Sequence, residues 1–331
     1  VSPSLSRVGL SARLGGNENG ILDLSSQLDT DGLLSPPRSL LGNKLSLPNR
    51  RRLKMVMLGG SVTFSQAESQ VPYRGLLREL SARGHDVLFL ERDPARTSSN
   101  NGSLKPAVGR TEGYSALKEL KDRFAGEIRE ADCVIVSSDI SEGIKIGEWV
   151  TRTAQGATAF YDLNASQTLA NLAKGDVDYI SASLIPRYHL YLSLTGGPVL
   201  DHVEKQYGSP MARPLYCAVD AMLFFPDQQN IKWDLGYVGN YSQECQPTLN
   251  RLLIEPARRW EDGCFAVAGA GYPRSPRWPK NVKRVPQLSP GRRRAFYNSQ
   301  RFALNVTPPS AIAVGFSPNV RLLEAAACGT P

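Results

Sequence analysis

Four side chains able to do chemistry stand close together in the run GFSPNVRLLEAAACGTP: Ser317, Asn319, Arg321 and Glu324. Helical spacing places Glu324 beside Leu323 and one turn beyond Val320. That is next to the apolar face that Val320, Leu323 and Ala327 would form. A carboxylate there needs a partner or a ligand. It could accept two hydrogen bonds from a diol such as a ribose; the alternative is a glutamate at the solvent edge of the helix. Ser317 reads as the N-cap and Pro318 as the first helical residue. With Asn319 and the free N–H groups of the first turn they make a site that the helix dipole renders favourable for an anion. Arg321 lies in that turn, where a cation opposes the dipole. An anion bound between them would compensate; a solvent-facing arginine is the alternative.

Glycines close several apolar runs: Gly59 and Gly60, Gly239, and Gly269 with Gly271. In open α/β sheets ligands bind at the carboxyl ends of strands, where glycine lets them approach the backbone. Each glycine is equally explained by its turn alone. The segment VAGAGYP starts like a dinucleotide fingerprint, but the third glycine is missing and Pro273 follows, so NAD is a weak reading. The pairs Asp176–Asp178 and Asp29–Asp31 have the D-x-D spacing that can hold a divalent ion on a nucleotide diphosphate, a spacing common by chance. No P-loop, nucleophile elbow or H-E-x-x-H run occurs. His85, His189 and His202 never pair at ligand spacing, so no metal is expected. Five cysteines, odd in number and without C-x-x-C, argue against a disulfide framework and point to a reducing, cytoplasmic setting.

The elements that must position these groups alternate. Lys54–Gly60, Asp86–Glu91, Cys133–Ser138, Ala157–Asp162, Leu190–Thr195 and Pro214–Val219 read as strands. Helices lie among them, at PYRGLLRELSARG, YSALKELKDRFAGEIREA and EGIKIGEWVTRTA. In the first, Tyr73, Leu76, Leu77 and Leu80 share a face and Gly84 can cap the end. After FFPDQQN the pattern restarts with strands WDLGYVGN, CFAVAGAG and RFALNVT. Between them lie a helix expected to kink or break near Pro256 and a helix started by Ser289 and Pro290. This is a doubly wound α/β architecture in two lobes, 54–225 and 226–331. Residues 1–53, rich in Ser, Gly, Asn and Pro, read as a disordered tail or an unrelated upstream segment. A helix such as the last one is normally followed by another strand, so the expectation is a fragment whose second lobe is incomplete. No apolar run approaches the roughly 18 residues of a membrane span. From Asn230 onward 14 Lys and Arg face 6 Asp and Glu, which accounts for the whole net charge of +8. A basic lobe suits a phosphate-bearing ligand; a solvated surface is the alternative. Nucleic acid is not expected, because aromatic residues do not recur among the basic ones.

The combination NVRLLEAAACGTP after RFALNVT resembles the spore-maturation (CgeB-type) branch of the GT-B glycosyltransferases. The segments YRGLLRELSARGHDVLFLERD, EGIKIGEWVTRTAQGATAFYD, LIPRYHLYLSLTGGP, YGSPMARPLYCAVD, WDLGYVGNYSQECQP and FYNSQRFALNVT are similar to that family too, so the resemblance spans Lys54 to Pro331. It implies two Rossmann-like lobes about a cleft. The front lobe would take an unidentified glycan, lipid or protein acceptor. The rear lobe would take a nucleotide-sugar donor, a uridine or guanosine diphosphate sugar, without a required metal or further cofactor. It implies that Glu324 holds the donor ribose and that Gly315 to Asn319 wrap the diphosphate. Gly239, Asn240 and Tyr241 would face the donor, with Gly269 beside them, and Arg321 would stabilise the departing diphosphate. The chain departs from the family at Ala67-Glu68-Ser69, where glycine and histidine are usual. It also departs at Asn164-Ala165-Ser166, at PARTSSNNGS after LFLERD, and at Phe316, where many relatives carry a second glutamate. These departures leave a non-catalytic homologue as the competing expectation.

Overall fold

A computed structural model describes residues 51–60, 71–92, 110–175, 178–273 and 278–331, all within the unit Pro36–Pro331. The expectations placed on 1–50, on the Ala67-Glu68-Ser69 loop, on PARTSSNNGS and on Asp176 lie outside the described residues.

The front sheet holds β1 (Lys54–Gly59), β2 (Asp86–Arg92), β3 (Arg110–Tyr114), β4 (Cys133–Ser137), β5 (Ala157–Asp162), β6 (Leu190–Ser193) and β7 (Ala212–Pro214). Their order is β3-β2-β1-β4-β5-β6-β7, and every neighbouring pair is parallel. Both faces are covered, which is why the strands read as continuous apolar runs. Val56, Leu58, Val134 and Val136 turn to one side, with Leu120, Phe124 and Ile128 of α2 (Leu117–Glu130) and Ile146 and Val150 of α3 (Gly143–Thr153). Met57, Phe89 and Ile135 turn to the other side, with Leu76, Leu77 and Leu80 of α1 (Val71–Ala82). Gly84 sits past the end of α1 at φ +87°, as its role there requires.

The strand expected at Pro214–Val219 is not one. The strand ends at Pro214; the Leu215 N–H still donates to the Ser193 carbonyl of β6 at 2.8 Å, and the chain then runs on as irregular backbone toward the second lobe. Three elements went unread. The edge strand β3 buries only Tyr114, so it carries no apolar run. Helices α4 (Ala165–Lys174) and α5 (Pro198–Tyr207) each bury two residues on the sheet side, too few for a visible stripe. Asn164, in the segment that departs from the resembled family, caps α4 by accepting from the Gln167 N–H at 3.3 Å.

The rear sheet holds β8 (Trp233–Val238), β9 (Phe265–Ala268), β10 (Val282–Val285) and β11 (Gln300–Leu304). Their order is β10-β9-β8-β11, again all parallel. The helix expected to break at Pro256 instead passes through a π turn. α6 (Gln246–Leu249) leads into Asn250–Ile254 and then α7 (Glu255–Arg259). The wide turn absorbs the N–H that proline lacks. α8 (Pro290–Asn298) starts at Pro290 as read, although the Ser289 side chain makes no capping bond. The edge strand β10 and the helix α9 (Pro309–Val314) were unread, and α10 (Val320–Ala327) follows α9. The cap of α10 is Asn319, not Ser317: the Asn319 side chain accepts from the Arg321 N–H at 3.1 Å. Ser317 instead donates its hydroxyl to the Leu194 carbonyl at 3.3 Å, which draws it out of the helix.

Candidate functional site

The ligand edge of the rear lobe is built where β8 and β9 end and α10 begins. Past Val238 the chain turns at Gly239, whose N–H donates to the Ala268 carbonyl at 2.8 Å. The Asn240 side-chain oxygen accepts from the Ala270 N–H at 2.9 Å, and the Tyr241 N–H donates to the Ala270 carbonyl at 2.9 Å. The two strand ends are therefore stitched together. A Cβ on Gly269, which sits at φ +155°, would lie 2.0 Å from the Gly239 carbonyl oxygen. Gly269 is thus fixed by backbone crossing backbone. Gly271 (φ +81°) opens no helix; Tyr272 follows and donates its hydroxyl to the Gly239 carbonyl at 2.7 Å.

Arg321 leaves the first turn of α10 and reaches the end of β8. One guanidinium nitrogen donates to the Val238 carbonyl at 3.1 Å and lies 3.5 Å from the Tyr237 hydroxyl. Gly239 makes the room: a Cβ there would stand 2.5 Å from the same nitrogen. The half-buried cation thus lies against the strand end, although it belongs to the helix start. Tyr241, exposed in the turn after Gly239, meets the Tyr272 ring edge-on at 5.9 Å. Tyr272 meets Trp278 at 5.4 Å, and the Arg284 guanidinium lies over both rings. This aromatic–cation series was not read from sequence, because Trp278 and Arg284 stood in what looked like a generic basic stretch.

Glu324 does not lie at a solvent edge. It is 0% exposed, and the buried side of α10 is centred on Glu324, Ala325 and Cys328 rather than on Val320, Leu323 and Ala327. The helix is rotated because the carboxylate has partners on α8. The Tyr297 hydroxyl donates to it at 3.1 Å, and the Arg293 guanidinium pairs with it at 3.2 Å. Arg293 is itself 3% exposed. The carboxylate is thus partnered within the protein, which removes the reading of Glu324 as a solvent-edge glutamate. Burial first, and then the Glu324 charge, push the Tyr297 hydroxyl far above its usual range and the Cys328 thiol up to about 12. The same charge reaches Cys217, on the segment leading out of the front lobe. Arg293 and Tyr297 were legible only as members of GRRRAFYN; nothing in that run told which arginines turn inward.

The turn before α10 is held by the front lobe. The Gly196 N–H donates to the Phe316 carbonyl at 2.8 Å, and the Phe316 N–H donates to the Gly196 carbonyl at 2.9 Å. A Cβ on Gly315 would lie 2.0 Å from the Gly196 carbonyl oxygen. Of the donors expected to face an anion, Phe316 N–H and Ser317 O–H therefore meet front-lobe carbonyls, and Arg321 N–H meets Asn319. The candidate residues do converge: Gly239, Asn240, Tyr241, Gly269, Arg321 and the 315–319 turn share the carboxyl edge of the rear sheet. Among the described residues no group of His, Cys, Asp or Glu is placed to hold a metal ion, and no helix is long and apolar enough to cross a membrane.

Two parallel doubly wound sheets whose ligand edges meet at this turn define a GT-B fold. Residues 245–331, which carry α10 and the 315–319 turn, match a family model described as glycosyl transferase-like. Solved structures share the fold at low identity. An alpha-glucosyltransferase in complex with UDP is 11% identical, with a TM-score of 0.54, over 83% of this chain and 79% of its own. The catalytic domain of starch synthase IV from Arabidopsis thaliana, bound to ADP and acarbose, is 10% identical, with a TM-score of 0.54, over 85% and 82%. A protein described as a UDP-N-acetylglucosamine 2-epimerase from Listeria monocytogenes is 11% identical, with a TM-score of 0.50, over 85% and 78%. No curated protein matches the chain. At this identity the likeness shows the fold and not the reaction.

Proposed function

We propose that the chain transfers a sugar from a nucleotide-diphosphate donor held at the carboxyl edge of the rear lobe to an acceptor at the front lobe. The observation that carries this is the glycosyl transferase-like match over residues 245–331, which contains the turn and helix where Arg321 meets the end of β8. The solved relatives that contain UDP or ADP are in keeping with a nucleotide diphosphate as the donor's leaving part. Arg321 is the cation within reach of a diphosphate at the strand ends. It would stabilise the charge that grows on the bridging oxygen as the sugar leaves. Tyr241, in the turn after Gly239, offers an exposed ring for the base or the sugar. The chain's own groups would orient the donor and offset its charge, so positioning and electrostatics supply the rate. The CgeB-type assignment, a metal-independent reaction and a cytoplasmic site belong to the same proposal.

Isothermal titration with UDP, GDP, ADP and NAD tests it. Micromolar binding of a nucleoside diphosphate, followed by donor hydrolysis or transfer, is expected. A specific observation favours a non-catalytic homologue: the Glu324 carboxylate and the Phe316 N–H are already engaged within the protein. Absence of binding to every nucleotide would establish that second reading, and binding of NAD alone would overturn both.

A further inference from the structure

The segment joining the lobes is fastened at both ends. On the front side Arg78 of α1 pairs with Asp220 at 3.1 Å, and Asp220 is 3% exposed. Gly75 lets α1 lie directly on this segment, since a Cβ there would be 3.0 Å from the Val219 carbonyl oxygen. The Leu223 and Phe224 N–H groups both donate to the Asp220 carbonyl at 2.9 Å, so Asp220 and Phe224 form one closed turn. On the rear side Arg293 lies over the Phe224 ring at 5.6 Å and Arg294 over the Phe225 ring at 4.1 Å. The Asn298 side chain receives the Asp227 N–H at 2.8 Å and donates to the Phe225 carbonyl at 3.1 Å.

The same Arg293 that rests on Phe224 is the partner of Glu324. One buried cation therefore touches both the inter-lobe segment and the helix that follows the Gly196–Phe316 bridge. Tyr297 closes the arrangement, donating to Glu324 and meeting Phe224 edge-on at 6.4 Å. An ion pair with both members almost wholly buried is a costly way to pack two helices, and an apolar pair would serve packing as well. What it adds is a fixed register: the carboxylate pins the rotation and advance of α10, and with them the turn at Phe316.

We propose that Glu324 is a positioning residue, and that its pair with Arg293 couples α10 to the inter-lobe segment and so sets whether the Gly196–Phe316 bridge is made. This rests on the donor reading only for the purpose of the coupling: occupancy at α10 and lobe closure would be linked through one arginine.

Hydrogen exchange on the full chain, without nucleotide, tests the coupling. In Glu324→Gln, the amides of Gly196 and Phe316 are expected to exchange at least tenfold faster than in the parent. In Phe224→Leu, which leaves the ion pair intact, those of β4 and β9 are expected to keep their protection. Should Glu324→Gln fail to fold, Phe224→Leu leaves the ion pair intact and removes the ring beneath Arg293. It should still speed exchange at the bridge about threefold or more. Unchanged exchange at Gly196 and Phe316 in Phe224→Leu overturns the proposal. Equal loss of protection at the bridge and at β9 in Phe224→Leu overturns it too, because that is what a merely structural contact would give. Failure of UDP to bind would remove the sugar-transfer reading while leaving this result intact.

Discussion

Replacing Arg321 by methionine keeps most of the side-chain volume and removes the charge. In the free protein the change forfeits one hydrogen bond, to the Val238 carbonyl at 3.1 Å from a half-buried group. That should cost about 0.5–1.5 kcal/mol of stability. In the nucleotide complex the loss is a charge-assisted bond to the diphosphate, worth about 1.5–3 kcal/mol. At about 1.4 kcal/mol per factor of ten, the Kd for UDP should rise by roughly 10- to 150-fold. Uridine lacks the diphosphate and should lose less than about threefold on the same scale. Because the guanidinium is partly exposed, the loss for UDP should shrink as salt shortens the screening length toward about 3 Å at molar concentration. Titration calorimetry of both ligands at two salt concentrations gives all four numbers. Equal losses for UDP and uridine would mean that Arg321 acts only by holding the end of β8. An unchanged UDP affinity would remove it from the site.

Four further outcomes are expected. Glu324→Gln leaves Arg293, 3% exposed, without its counter-charge and should cost about 3–5 kcal/mol, whereas Glu324→Met with Arg293→Met should return to within about 2 kcal/mol of the parent in urea unfolding. Gly269→Ala, at φ +155° with 2.0 Å to the Gly239 oxygen, should cost more than about 2 kcal/mol. Gly126→Ala, on an open face of α2 with nothing within 4 Å of the new Cβ, should stabilise by about 0.5–1 kcal/mol. The Ser115 hydroxyl and N–H, aided by Arg123, hold the Glu119 carboxyl at about 2. Its folded pKa is depressed, so its contribution is present above the unfolded pKa of 4.5 and is lost as pH falls toward 2. The stability gap between the parent and Glu119→Gln should therefore be constant near neutrality and close below pH 4.5, as followed by thermal melts across that range.

Much of the fold was legible because parallel strands covered on both faces must be apolar throughout. KMVMLG, DVLFLE, CVIVS and ATAFYD announced themselves in that way, and glycine or proline marked where several elements turn. The unread elements are those with little to bury. β3 and β10 sit at sheet edges with one buried residue each, α4 and α5 bury two apiece, and α9 buries none. Leu215 to Val219 misled for the converse reason: Leu215 and Cys217 pack on the front core and Val219 on the rear one without continuing the strand.

The sequence by itself determined the alternation of strand and helix, its restart after Asn230, and the presence of a carboxylate and a guanidinium three residues apart on one helix. Period and propensity are local, and they fixed those features. Only the tertiary structure decided what the two charges meet. Arg321 turns to a strand end because Gly239 leaves space for it. Glu324 turns inward because a buried arginine from another helix awaits it. The turn before them is held by two backbone bonds from the front lobe. Partners far apart in the chain leave no periodic trace, since what selects them is the desolvation cost of leaving a buried charge or N–H unpaired, and that cost exists only once the lobes have packed.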